Sequence, residues 1–204
     1  MRYTGPKARR CRRQEMNLYG SDKYDKILAR KPHPPGKSPR GRLGRKSEYA
    51  RQLMEKQRVR DMYGLSERQF RRLYAEAMRT KADTGDRMKQ LLEQRLDNVI
   101  YRAGFAITRV QARQLAGHGH FLIDGVRVTC PSFRVRAGQN IAARPRSQQS
   151  TAFVEILRRH EKYMPPAWLK VDAGKLAVEV VGLPRPEDAE QAADMRQVVE
   201  FYSR

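Results

Sequence analysis

The sequence predicts an α+β fold. A helical N-terminal domain carries a basic extended arm, and inserted into it is a compact module, a helix-turn-helix plus a small antiparallel β-sheet. Three observations predict it. Between Ser47 and Gly104 apolar residues recur at intervals of three and four; Asp124-Gly125 divides two short apolar runs; and the last amphipathic segment needs an earlier surface to bury against. The expected divisions are an arm over 1–46, a helical domain over 47–91 completed by the C-terminal segment, the module over 92–158, and a hairpin with a C-terminal helix over 159–204 packing back on the helical domain.

Charge defines the arm. The 204-residue chain has 43 Lys and Arg against 22 Asp and Glu, a net charge of +21 and a pI near 10.6. Residues 1–60 hold 19 of these cations with 5 acids, residues 61–164 hold 19 with 10, and residues 165–204 hold 5 with 7. A compact chain this basic repels itself unless a polyanion neutralises it, so nucleic acid is the expected partner. No apolar run approaches the roughly 20 residues a bilayer requires, so no membrane partner is expected. The basic start has no apolar region behind it, so it does not read as a signal peptide, and the chain is expected to remain in the cytoplasm. Cys11 and Cys130 make no disulfide framework and fit a reducing compartment. From Arg30 to Lys46 four prolines (Pro32, Pro34, Pro35, Pro39) and three glycines stand among cations. Such a stretch buries too little apolar surface to offset its ordering entropy. It reads as an arm that orders against its partner, or as a flexible basic linker.

Helices follow. Ser47 caps a helix reaching about Tyr63, with Tyr49, Leu53 and Val59 toward a core and Arg51, Lys56, Arg58 and Arg60 elsewhere; Gly64 ends it. Ser66 and Gln69 form a capping box opening Glu67 to about Met78, with Phe70, Leu73, Tyr74 and Ala77 on one side. A third helix begins near Thr84 and runs to Gly104, its apolar set being Met88, Leu91, Leu92, Leu96, Val99, Ile100 and Ala103. Thr108 and Gln111 make a second capping box, and the short helix Arg109 to Ala116 ends at Gly117. Arg109 and Arg113 fall on one exposed face, about one turn apart, a spacing suited to adjacent phosphates. His118 and His120 come next, then strands Phe121–Ile123 and Val126–Thr129 around a turn whose two residues accept positive φ. A strand over Asn140 to Ala143 is expected after Gly138. The helix Thr151 to His160 offers Arg158 and Arg159 to solvent or to RNA. Trp168–Asp172 and Lys175–Val181 read as a structural hairpin, and the closing helix spans about Asp194 to Tyr202. His118 and His120 have three readings: metal ligands, which lack a supporting cluster; donors and stacking rings beside phosphates; or plain structural histidines.

These residues reach a known family. Leu92-Glu93-Gln94-Arg95-Leu96-Asp97-Asn98-Val99, Gly104-Phe105, Thr108-Arg109, Gln111-Ala112-Arg113-Gln114-Leu115 and Gly117-His118-Gly119-His120 resemble an RNA-binding module found in the fourth small-subunit ribosomal protein and in several RNA-modifying enzymes. Arg2-Tyr3-Thr4-Gly5-Pro6, Glu55-Lys56-Gln57 with Tyr63-Gly64, Ser66-Glu67-Arg68-Gln69-Phe70-Arg71 and Val199-Glu200-Phe201-Tyr202-Ser203-Arg204 resemble the bacterial-type ribosomal protein itself, from end to end. The resemblance implies a primary binder of small-subunit rRNA, at a junction of the 5′ domain. Such a protein nucleates assembly of the subunit body, neighbours the fifth small-subunit ribosomal protein, and lies by the path along which mRNA enters. It implies RNA contacts at Arg109, Arg113, Gln114, His118 and His120; on the helix at Arg68, Arg71 and Arg72; and from the arm at Arg2, Lys7, Arg9, Arg10, Arg12, Arg13, Lys37, Arg40, Arg42, Arg45 and Lys46. There are two departures. Some members bind zinc through four N-terminal cysteines, of which only Cys11 stands here, so no metal and no cofactor is expected. The family's usual Asn before the hairpin glycine is Asp124, which places a negative charge near RNA.

Two rival readings compete with this one. An RNA-modifying enzyme would need a catalytic domain, and the sequence offers no Gly-rich phosphate loop, cofactor fingerprint or nucleophile–base set. Asp97 reads either as a catalytic acid or as a polar helix residue beside Arg95. A DNA-binding transcription factor is suggested by the helix-turn-helix outline, but the charge extends far beyond one recognition helix and no dimerisation segment stands out.

Overall fold

The computed structural model describes residues 3–36, 45–150, 153, 156 and 163–204. The chain divides into two compact units, Met1–Met88 with Glu190–Arg204, and Lys89–Ala189. Both are α+β or helical as the sequence predicts: the first is helical, and the second adds a five-stranded antiparallel sheet to short helices.

In the first unit, α1 (Lys7–Gln14) and α2 (Asp22–Arg30) correct the expectation of an extended arm over 1–46. Charge density alone hid an apolar-facing set: Cys11, Gln14 and Leu18 are buried. Several cations are used within the fold. Arg10 reaches Asp61 at 2.6 Å, and Arg12 donates to the carbonyls of His33 at 3.1 Å and Pro34 at 3.3 Å. Helix α3 (Glu48–Met62) starts where the Ser47 hydroxyl accepts from the Ala50 amide, and α4 (Glu67–Ala77) carries the complete capping box of Ser66 and Gln69. As expected, α4 buries Phe70, Leu73, Tyr74 and Ala77. Two positions of α3 exchange their expected places. Tyr49 is 52% exposed, against the ring of Phe201, whereas Lys56 is only 5% exposed. Lys56 is tolerated inside because its ammonium lies 2.9 Å from Glu67 and 4.8 Å from the Phe201 ring centroid.

The second unit begins within α5 (Thr84–Glu93), where the expected single helix to Gly104 breaks. Arg95 leaves the helical region (φ −68°, ψ 137°) and α6 (Leu96–Arg102) starts anew. A continuous apolar period cannot reveal this break, because its cause is distant in sequence. The amides of Leu96 and Asp97 donate to the carbonyls of Phe133 (2.8 Å) and Pro131 (3.1 Å), and Val135 N–H donates to Gln94 (2.9 Å). The orphan amides of the new helix are thus satisfied. After α7 (Arg109–Gly117) come β1 (Phe121–Ile123), β2 (Val126–Arg127), β3 (Asn140–Ala143), the single turn α8 (Pro145–Gln148), β4 (Leu169–Asp172) and β5 (Ala177–Val180). Strand order is β2-β1-β3-β5-β4. The hairpin β4–β5 therefore joins the module's own sheet through β3, within the unit Lys89–Ala189. The turn between β1 and β2 is as expected: Asp124 and Gly125 have φ of 48° and 82°. One core joins α6 and α7 to the sheet through Phe105, Phe121, Ile141, Phe153, Ile156 and Val178. Phe153 and Ile156 are helical, while Arg158 and Arg159 lie outside the described residues. The final helix α9 (Met195–Ser203), capped by Asp194, returns to the first unit and packs along α3.

Candidate nucleic-acid interface

Helix α7 presents the first cations. Thr108 Oγ1 accepts from the Gln111 amide at 3.2 Å, and Gln111 Oε1 accepts from the Ile107 amide at 2.8 Å, fixing where the helix begins. Ala112, Leu115 and Ala116 are buried and Gln114 is exposed. Arg109 and Arg113, expected on an open face, are instead half-buried against α6. Arg109 Nε donates to Asn98 Oδ1 at 2.9 Å, with its guanidinium 4.4 Å from the Tyr101 ring centroid. Arg113 lies 3.4 Å from Asp97 Oδ2, and that carboxylate also receives a two-pronged contact from Arg95, at 3.0 and 2.8 Å. Asp97 is therefore the polar residue beside Arg95 that the sequence offered as one reading.

At the end of α7 the chain turns through Gly119 (φ 71°), two residues after the expected stop at Gly117. A side chain at Gly119 would displace the Arg127 guanidinium, and the left-handed backbone there favours glycine. Arg127 donates to the His118 carbonyl at 3.1 Å and Arg144 to that of Gly119 at 3.5 Å. His118 is exposed; His120 is half-buried, its Nδ1 2.9 Å from the Ser147 hydroxyl and its ring edge-on to Phe153. Burial first, then the charges of His118, Arg144 and Arg127, push His120 below the ordinary histidine range. Among the described residues, Arg127 and Arg144 are cations that act on this imidazole. The turn thus brings His118 and His120 together, ring centroids 6.0 Å apart, with Arg127 and Arg144, two candidate residues that sequence reasoning did not single out. Their signal was faint: Arg127 lies in the short strand β2 and Arg144 just after β3, and pairing of β1 with β2 and β3 brings both to the turn.

Asp124 does not stand as a free negative charge. Its two carboxylate oxygens accept from the Asn140 amide at 2.9 Å and from Gln139 Nε2 at 3.1 Å.

The first unit supplies a separate set. Arg68, Arg71 and Arg72 are exposed on α4, Arg9 and Arg13 on α1, and Arg45 and Lys46 ahead of α3. Lys7, Arg10 and Arg12 are half-buried in the contacts around α1, Lys7 lying 5.3 Å over Tyr19. Arg2, Lys37, Arg40 and Arg42 lie outside the described residues. Cys11 is buried, which raises its thiol pKa, and a four-cysteine zinc site does not fit a chain whose cysteines are Cys11 and Cys130. Among the described residues no helix is long and apolar enough to cross a membrane.

Comparison with known proteins agrees with this layout. The Ribosomal protein S4/S9 N-terminal domain matches residues 2–93 and the S4 domain matches residues 94–141. Small ribosomal subunit protein uS4 of Roseiflexus sp. (strain RS-1) is 46% identical over 209 residues, covering 100% of this chain and 99% of its own. The proteins of the same description from Chloroflexus aurantiacus (44% over 206 residues) and Corynebacterium glutamicum (45% over 203 residues) also cover 100% of this chain and 99% of their own. These relatives are ribosomal proteins and not enzymes. With both domains matched in order and relatives aligned from end to end, the chain belongs to the uS4 family of small ribosomal subunit proteins.

Proposed function

We propose that this protein is a structural constituent of the small ribosomal subunit that binds small-subunit rRNA directly, at a junction of the 5′ domain. It nucleates assembly of the subunit body and, beside the fifth small-subunit protein, supports translational accuracy near the path of entering mRNA, with mRNA a further contact. The observation that carries the reading is the turn at which His118 and His120 stand together with the arginines Arg127 and Arg144. A half-buried imidazole among positive charges is stabilised by an anion, and phosphate is the anion an RNA backbone supplies. Affinity then comes largely from displaced counterions, while a rigid module selects RNA by shape. The identity of the relatives supports the subunit assignment, and the exposed arginines of α1 and α4 supply further backbone contacts. Crosslinking in cells, followed by sequencing of the attached RNA, tests it. Recovery concentrated in the 5′ domain of small-subunit rRNA is expected; recovery spread over unrelated transcripts would reject the assignment.

A further inference from the structure

Helix α7 is not held by its own segment alone. Glu93, Asp97 and Asn98 stand on either side of the α5–α6 break and are 0%, 5% and 2% exposed. Buried carboxylates are costly unless paired, and both are. Glu93 takes Arg102 at 3.0 and 3.2 Å and also accepts from Asn98 Nδ2 at 2.7 Å. That last contact fixes the direction of the Asn98 amide. Its NH2 faces the Glu93 carboxylate, so its oxygen is left for the opposite side, where Arg109 Nε meets it at 2.9 Å. The Tyr101 ring lies under the same guanidinium. In parallel, Arg95 holds Asp97 with two contacts while Asp97 Oδ2 takes Arg113 at 3.4 Å.

We propose that Glu93, acting through Asn98, and Asp97 are positioning residues that hold the Arg109 and Arg113 guanidiniums in one arrangement before RNA arrives. The inference rests on the reading of α7 as an RNA-binding face. The hydrogen bonds to Asn98 and Asp97 each use one of the five N–H donors of Arg109 or Arg113 and remove rotamer freedom that binding would otherwise have to remove. The break between α5 and α6 serves this arrangement, because it brings the start of α6, with Asp97 and Asn98, against α7.

The test is a double-mutant cycle on the full chain with a transcript of the 5′-domain junction of small-subunit rRNA, comparing Asn98→Ala, Arg109→Ala and the double variant. Holding one or two long side chains in advance is worth about three- to tenfold in affinity, so Asn98→Ala should weaken binding by that factor. In the Arg109→Ala background it should add nothing. Should Arg109→Ala weaken binding while Asn98→Ala does not, or should the two losses simply multiply, the positioning role is overturned. Should Arg109→Ala itself leave affinity unchanged, the reading of α7 fails, and the inference with it. A measurement without variants guards against misfolding: nitrogen relaxation of arginine Nε in the free wild-type protein. Arg109 Nε should be ordered and Arg68 Nε mobile, and equal mobility would overturn the proposal.

Discussion

Tyr202 donates its hydroxyl hydrogen to Glu67 Oε1 at 2.6 Å, joining the C-terminal helix to the first turn of α4 across 135 positions of sequence. The same oxygen takes Lys56 Nζ at 2.9 Å, and Arg60 takes the other at 3.1 Å. The Tyr202 ring stacks on Tyr74, with centroids 4.8 Å apart. Burial of the phenol, then the hydrogen bond to Glu67 and its charge, raise the Tyr202 pKa far above the ordinary tyrosine value. Since the carboxylate is partly exposed, Tyr202→Phe should cost only about 1 kcal/mol, with packing retained. Urea unfolding of both proteins checks this, and equal midpoints would show that the bond contributes nothing.

Glu67 carries a pH dependence of definite sign. Burial pushes its pKa up, but hydrogen bonds from Tyr202 and Lys56 outweigh burial and leave it below the ordinary carboxylate value. A lowered pKa in the folded state means that the unfolded chain binds the proton first as pH falls. The stabilisation is therefore complete above the unfolded-chain value of about 4.5 and is lost as pH falls through the folded value. Glu67→Gln should be less stable than wild type at neutral pH, and the gap should close in acid. A gap independent of pH would contradict it.

Much of this was legible in the sequence, and the misses share one cause. The capping box at Ser66, the Thr108 cap (where Gln111 Oε1 accepts from Ile107 and not from Thr108, so the expected box is half formed), the Asp124-Gly125 turn and the strand Asn140–Ala143 rest on neighbours within a few positions, so local chemistry specifies them. The break at Arg95 depends on carbonyls from 131–133, and the inward turn of Lys56 depends on Phe201 and Glu67. Arg127 and Arg144 reach the His118 turn only through strand pairing. No local pattern encodes such contacts. The helices in 7–30 are not legible by charge, because dense cations mask the few positions, Cys11 and Leu18 among them, that the fold buries.

Asp124 combines a left-handed backbone with two accepted hydrogen bonds. Asp124→Ala loses both and should cost about 1–2 kcal/mol, whereas Asp124→Asn keeps the turn and one acceptor and should cost less than half of that. Thermal unfolding distinguishes them; equal losses would show that an amide acceptor does not replace the carboxylate, contrary to this expectation.

Gly119→Ala should displace Arg127 and strain a residue at φ 71°. We expect a loss of about 1 kcal/mol in stability. RNA affinity should fall as in Arg127→Ala, and a variant with full affinity would remove Arg127 from the interface.

His120 begins below its ordinary pKa in the free protein, and a phosphate beside it would raise it. Binding should therefore take up protons over the range in which histidine titrates. Calorimetry in two buffers of different ionisation enthalpy reads this directly. Heats that do not differ between buffers would separate His120 from the phosphate contacts.

The central claim is that a cationic surface supplies affinity while rigid elements supply selection, and one measurement tests both halves. Full-length protein is titrated with the 5′-domain junction of small-subunit rRNA and with a scrambled RNA of equal length, over a range of salt. We expect both affinities to fall steeply with salt, each phosphate contact contributing a slope of roughly 0.7 to 0.9 in log affinity against log salt. The junction should stay tighter throughout, by a factor nearly independent of salt. Two RNAs bound equally at every salt, or a junction affinity indifferent to salt, would contradict it.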